Sequence, residues 1–114
     1  MRPFKFFTEY VDVNNVFQYE IDGIYKQFEI TKYTFLTLDS NILKLLIDFY
    51  MEDQEFYEMI NDLKYTKRNG TIFTLSEDGI LTKTIFSGVL YSSERVLNTN
   101  ESKLEFFLDF YNVV

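Results

Sequence analysis

The fold prediction depends most on residues 39–64, which read DSNILKLLIDFYMEDQEFYEMINDLK. Asp39 and Ser40 are residue types that cap helix N-termini. The apolar residues that follow recur at helical spacing: Ile42, Leu45, Leu46 and Phe49, then Phe56, Met59, Ile60 and Leu63. The segment therefore predicts a central helix, or two consecutive helices if Asp53 caps the second one after a break at Met51-Glu52.

The residues before this segment predict strands. From Phe4 to Leu38 apolar and polar residues alternate, as they do on a strand with one buried face. Asn14-Asn15 and Asp22-Gly23 are residue pairs typical of tight turns, and the second is a strong hairpin signal. We expect a three-stranded antiparallel meander.

Two more strands are expected after the central segment. Asn69-Gly70 favours a turn, and Thr71 to Leu75 and Ile80 to Leu90 then flank the hairpin signal Glu77-Asp78-Gly79. Gly88, inside the second of these strands, is typical of a β-bulge or bend.

The last residues predict a C-terminal helix. Ser102 and Glu105 have the spacing of a capping box. The apolar residues after them recur at helical spacing: Leu104, Phe107, Leu108 and Tyr111. The expected fold is thus one α+β domain, residues 1–114, with an antiparallel sheet of about five strands, the helices packed on one face, and the order βββ-α-ββ-α.

Negative charge is concentrated in the central segment. The chain has 18 acidic and 11 basic residues and a net charge of −7. Residues 39–62 hold seven acidic residues and one basic residue, and so carry six of the seven net charges. On a helix, five of these carboxylates would form a ridge about 120° wide opposite the apolar stripe: Asp48, Glu52, Glu55, Glu58 and Asp62.

The ridge has two interpretations, a solvated helix face and an electrostatic docking surface for a partner protein. We expect Tyr50 and Tyr57 to act as aromatic anchors at its rim. Glu101, Glu105 and Asp109 lie at i, i+4 and i+8 of the predicted terminal helix and would form a secondary acidic surface.

Composition argues against several classes of function. The chain has no His and no Cys, which removes the usual general base, the thiol nucleophile and most metal ligands. No nucleotide, dinucleotide or calcium motif is present, so we expect neither catalysis nor a cofactor or metal. Lys64, Lys67 and Arg68 are interpreted as a helix C-terminus and turn, and not as a surface that binds nucleic acid directly.

Neither a signal peptide nor an apolar run of 18 residues is recognisable, which favours a cytoplasmic protein without membrane contact. In size and acidity the chain resembles small cysteine-free inhibitors from phages and mobile elements. The amino-acid composition, rich in residues with AT-rich codons, is typical of the low-GC bacteria, phages and plasmids that encode such proteins. The resemblance implies an inhibitor that docks its ridge, as a partial nucleic-acid mimic, into the basic groove of a larger protein such as a nuclease.

Anti-CRISPR and anti-restriction proteins are the leading types for this hypothesis. An immunity protein that neutralises a nuclease toxin is one alternative. A self-assembling structural or accessory phage protein is another, and both a monomer and a homodimer are compatible with the sequence.

Overall fold

The structure is a computed structural model that describes residues 4–6, 9–11, 15–38, 42–76 and 78–114. Nine strands and one helix are described in this part of the chain. In chain order they are β1 (Phe4–Phe6), β2 (Glu9–Val11), β3 (Asn15–Ile21), β4 (Ile24–Glu29), β5 (Lys32–Leu38), β6 (Ile42–Tyr50), α1 (Asp53–Leu63), β7 (Arg68–Leu75), β8 (Leu81–Arg95) and β9 (Glu101–Val113).

The strands form two antiparallel sheets. β1 pairs with β2, and the other seven form one sheet in the order β4-β3-β7-β8-β9-β6-β5. Its two edge strands, β4 and β5, are consecutive in the chain and are separated only by Ile30 and Thr31. The amide of Ile30 donates to the carbonyl of Asn15 in β3, and the amide of Thr31 donates to the carbonyl of Asp48 in β6. The sheet must therefore curl until its opposite edges meet at these two residues.

The curled sheet buries an aromatic core on its inner face. Phe17, at 0 % exposure, packs with ring centroids 5.5 Å from Phe86 and 5.9 Å from Phe106. Side chains on the inner face of the strands supply most of the remaining core, and α1 adds Phe56, Met59 and Leu63. The ring of Phe49 in β6 stacks on the ring of Phe56, with 6.2 Å between the ring centres. The helix and the strands therefore contribute to the same core.

The predicted α+β fold is wrong, because the structure is mostly antiparallel strand with one short helix. Residues Ile42–Tyr50 form a strand and not a helix, with Leu45, Ile47 and Phe49 fully buried on one face. Glu101–Val113 also forms a strand, pairing with both β6 and β8. Only the second half of the predicted central helical segment is helical, and the junction lies at Met51-Glu52, directly before α1.

The hairpin turns are predicted more accurately than the helices. Asp22 and Gly23 join β3 to β4 with φ angles of 49° and 82°, as the hairpin signal requires. β7 and β8 pair antiparallel around Asp78-Gly79, although Glu77 lies outside the described residues, as does Asn14 of the other predicted turn. The register between β8 and β9 shifts at Ser87/Gly88, at the glycine where the sequence predicts a bulge or bend.

The turn predicted at Asn69-Gly70 is wrong, because both residues lie inside β7. Gly70 is needed there for a different reason. The ring of Phe86 lies directly over it, and a Cβ atom at this position would overlap that ring. The glycine thus allows a close approach between neighbouring strands and makes no turn.

Candidate docking surface

The helix α1 presents one apolar and one polar side. Phe56, Met59 and Leu63 are spaced at i, i+3 and i+7 and point into the core. The charge of the helix is entirely negative, since residues 53–63 contain no Lys or Arg. Asp53 lies beside Arg95, and Glu55, Glu58 and Asp62 lie along the flank of the helix that faces β4. The helix therefore exposes an acidic surface while its other side is fixed by packing.

Two arginines hold the ends of α1. Arg95 of β8 donates from Nη1 to the carbonyl of Met51 at 2.9 Å and to Ser102 Oγ at 3.0 Å. Its Nη2 donates to Asp53 Oδ1 at 2.5 Å, and its guanidinium lies 4.7 Å from the ring centre of Phe56. At the other end, Arg68 donates twice to the carbonyl of Asp62, at 3.0 and 2.8 Å. Both helix ends are thus tied to the sheet.

The predicted ridge of five carboxylates does not form. Asp48 lies on β6, in register with Lys32 and Lys103 on the neighbouring strands, and is not on the helix. Asp62 is on α1, but its Oδ2 accepts from Lys26 Nζ at 2.6 Å and from the Tyr19 hydroxyl at 3.0 Å. Asp48 is separated from the other carboxylates because the first half of the segment is a strand, whereas Asp62 stays beside Glu58 on the helix but has its charge offset by Lys26.

Three carboxylates of the predicted ridge remain on the exposed side, and Glu52, Glu55 and Glu58 are called the acidic face below. All three are exposed, and in the part of the chain that the structure describes none has a cationic atom within 4.0 Å. Glu58 accepts from the side-chain amide of Gln54 at 3.4 Å, which leaves its charge unneutralised. The acidic face is therefore free to meet cations from outside the chain.

Surface grooves run along both flanks of α1. On the β4 side, a groove of about 230 Å³ is lined by Glu55, Glu58 and Lys26 among others. On the other side, a wider groove of about 630 Å³ lies between Tyr57 and the turn that joins β8 to β9. The helix consequently projects from the surface between these two grooves.

The two tyrosines predicted as anchors lie on different surfaces. Tyr57 is 61 % exposed and meets the ring of Phe56 edge-on, at the side of α1 nearest the β8–β9 turn. Tyr50 is also exposed but ends β6, where it pairs with Glu101. Leu97, in the β8–β9 turn, is 83 % exposed and shares the groove with Tyr57. Sequence reasoning missed Leu97, because nothing local marks a lone turn leucine as a neighbour of the helix.

The predicted secondary acidic surface does not exist as a helix face. Glu101, Glu105 and Asp109 lie along β9. Glu105 Oε1 is 3.4 Å from Lys44 Nζ, and Asp109 forms an ion pair with Lys67. Two of the three are thus neutralised within the chain.

The hydroxyl of Tyr19, which lies behind α1, has a strongly raised pKa. Burial is the main reason that the pKa of Tyr19 is raised well above its ordinary value, and the hydrogen bond and negative charge of Asp62 raise it further. The Tyr19 hydroxyl therefore stays protonated and keeps donating to Asp62. Among the described residues, no group of three or more Asp or Glu side chains is arranged to hold a metal ion.

The chain matches no protein-family model, no curated protein and no solved structure. Within the described residues, the helical structure lacks the length and the apolar content needed to cross a membrane. The geometry and charge of the surface around α1 are therefore the basis for inferring a function.

Proposed function

We propose that the chain is a non-enzymatic inhibitor that inserts α1 into the basic nucleic-acid-binding groove of a larger protein, in the first place a nuclease. The observation that carries this proposal is the acidic face, Glu52, Glu55 and Glu58, which is exposed and unneutralised on a helix that stands between two grooves. A projecting helix with an acidic face complements a concave basic groove in both shape and charge.

The charge on α1 is unfavourable for the isolated chain. Like charges one helical turn apart cost a few tenths of a kcal/mol per pair. Asp53 and Asp62 are offset by Arg95 and Lys26, whereas the acidic face has no such compensation among the described residues. Lysines and arginines of a partner would remove this repulsion. The negative electrostatic potential of the acidic face would also increase the rate of association.

The spacing of the acidic face suits a site that normally holds nucleic acid. From Glu52 to Glu58 the helix axis rises about 9 Å. One strand of DNA carries about three phosphates over that distance. Three carboxylates can therefore substitute for a short run of phosphates, and this is the sense in which the helix is a partial mimic.

Apolar contacts next to the ridge would supply affinity that charge alone does not. Tyr57 and Leu97 are both exposed beside α1. Aromatic side chains that become buried at an interface often carry much of the binding energy. We therefore assign long-range attraction to the acidic face, and short-range anchoring to Tyr57 with Leu97.

The test is inhibition of purified nucleases of the CRISPR, restriction and toxin classes, measured as DNA or RNA cleavage with increasing amounts of the chain. We expect stoichiometric inhibition of at least one nuclease, and relief of that inhibition by excess uncleavable nucleic acid. Glu55→Lys with Glu58→Lys should raise the concentration needed for half-inhibition at least about tenfold.

Glu29→Lys with Asp78→Lys is the matched control, because it makes the same change in net charge at two exposed carboxylates outside α1, one on β4 and one in the turn between β7 and β8. This control should inhibit as the unmodified chain does. The proposal fails if the unmodified chain inhibits none of the nucleases, or if the two double variants lose inhibition equally.

A further inference from the structure

The outer face of the curled sheet, opposite the core and α1, carries three aligned rows of side chains across β5, β6, β9 and β8. The charged row consists of Lys32, Asp48, Lys103 and Glu94, which are neighbours in the strand register. The polar row consists of Thr34, Leu46, Glu105 and Ser92. The apolar row consists of Leu36, Lys44, Phe107 and Val89.

These three rows are electrically balanced although the chain as a whole carries −7. Within them the three lysines, Lys32, Lys44 and Lys103, equal in number the three carboxylates, Asp48, Glu94 and Glu105, and the signs alternate along the charged row. A second copy of the chain would be repelled by most of an acidic surface, but not by this part of it.

The face also exposes apolar surface at one end. Leu36, Phe107 and Tyr91 are each more than a third exposed. The rings of Tyr91 and Phe107 lie 4.3 Å apart, and Lys44 Nζ lies 5.2 Å from the centre of the Phe107 ring. Exposed aromatic side chains arranged in this way are typical of an interface.

We propose that this outer face is the interface of a homodimer with two-fold symmetry. The axis lies parallel to the strands, between β6 and β9, and the rotation places each row against the same row in reverse order. Lys32 then faces Glu94 of the second copy, and Asp48 faces Lys103 of the second copy. All four positions of the charged row meet an opposite charge.

The apolar row is complementary under the same rotation. Leu36 meets Val89 of the second copy, and Lys44 meets Phe107 of the second copy, where its cation already lies near aromatic rings within its own chain. All four residues of the charged row and all four of the polar row line a groove of about 290 Å³, so the charged pairs between the two copies close around it. Two such grooves face each other in the dimer and enclose water, as polar interfaces commonly do.

The size of the face sets the expected affinity. Four strands about 4.8 Å apart and three rows about 6.8 Å apart cover roughly 400 Å² in projection. That is a small interface by the standards of stable complexes, so we expect a weak dimer with a micromolar dissociation constant. Because α1 packs on the opposite side of the sheet, the dimer would leave the acidic face exposed and would present it twice.

Sedimentation velocity over a series of protein concentrations tests the dimer. The unmodified chain should change from monomer to dimer as its concentration rises through the micromolar range. Lys103→Glu should raise the dissociation constant at least about tenfold, since it places a carboxylate against Asp48 of the second copy. Lys83→Glu is the matched control on β8 outside the three rows, and it should dimerise as the unmodified chain does.

A mixing experiment separates loss of the interface from loss of folding. Lys32→Glu with Lys103→Glu makes the charged row entirely negative, and Asp48→Lys with Glu94→Lys makes it entirely positive. Each double variant should be monomeric alone, and an equimolar mixture should form a one-to-one heterodimer, although both variants keep a net negative charge. A monomeric unmodified chain at every concentration, dimerisation of Lys103→Glu like that of the unmodified chain, or no association in the mixture would each overturn the proposal.

Discussion

Arg95 Nη2 lies 2.5 Å from Asp53 Oδ1, so the last residue of β8 is bonded to the first residue of α1. The same guanidinium holds the carbonyl of Met51 and the hydroxyl of Ser102, which is fully buried. Arg95 therefore fixes the point where β6 ends and α1 begins. Its position determines how the acidic face is presented.

Replacing Arg95 should cost far more stability than replacing its carboxylate partner. Arg95→Ala leaves buried acceptors without a donor and should lower the free energy of unfolding by about 3 kcal/mol. Asp53→Ala removes an ion pair whose carboxylate side chain is 80 % exposed and should cost less than about 1 kcal/mol. Urea unfolding at neutral pH measures both. Equal losses in the two variants would contradict the assigned role of Arg95.

Gly70 should tolerate a methyl group only if Phe86 becomes smaller. Gly70→Ala should cost about 1–3 kcal/mol, because the added Cβ overlaps the Phe86 ring. In a Phe86→Leu background the same substitution should cost much less, and a double-mutant cycle measures the difference. Gly23→Ala is the control: its φ of +82° makes it unfavourable, but nothing lies within 4 Å of its Cβ position. Its cost should be the same in both backgrounds.

The protonated Tyr19 hydroxyl should make stability fall at alkaline pH. Tyrosines ordinarily ionise near a pKa of 10.0, so above this pH the unfolded chain loses the Tyr19 proton while the folded chain, whose pKa is raised, keeps it. The unfolded state then binds fewer protons, and the free energy of unfolding decreases as pH rises, by up to about 1.4 kcal/mol per pH unit.

Tyr19→Phe should therefore be less stable than the unmodified chain at neutral pH, and the difference should shrink above pH 10. Urea unfolding over this pH range is the measurement. Tyr65→Phe, which alters a tyrosine that is 89 % exposed, should keep the pH dependence of the unmodified chain. A constant difference between Tyr19→Phe and the unmodified chain across the range would show that the Tyr19 proton does not couple to folding.

The sequence correctly predicts those parts of the fold that depend on the backbone conformation of a few neighbouring residues. Asp22-Gly23 needs two positive φ angles, and few residue pairs accept them, so the turn is evident from the residues alone. β6 and β9 were predicted as helices because both carry apolar residues on both faces. In β9, Leu104 and Leu108 point inwards while Phe107 points outwards, and such a pattern fits helical spacing as well as alternation.

The candidate surfaces depend on pairings between residues far apart in sequence. Asp48 was assigned to an acidic helix, but the register places it between Lys32 and Lys103. The acidic face is smaller than the predicted ridge because Asp48 lies on a strand and Asp62 is offset by Lys26. Helical spacing groups Glu52, Glu55 and Glu58 correctly because Glu55 and Glu58 lie in α1 and Glu52 directly precedes it. Strand register is set by long-range packing, and one sequence does not reveal it.

If the acidic face of α1 guides this chain to a basic groove, its charge determines how fast the chain associates with the nuclease that it inhibits. Stopped-flow measurements over a range of salt concentrations should show a rate that falls steeply with ionic strength. In Glu55→Lys with Glu58→Lys the rate should be lower and its salt dependence much flatter, whereas Glu29→Lys with Asp78→Lys should change it little. A salt dependence that is the same in both double variants would contradict the role of the acidic face in association.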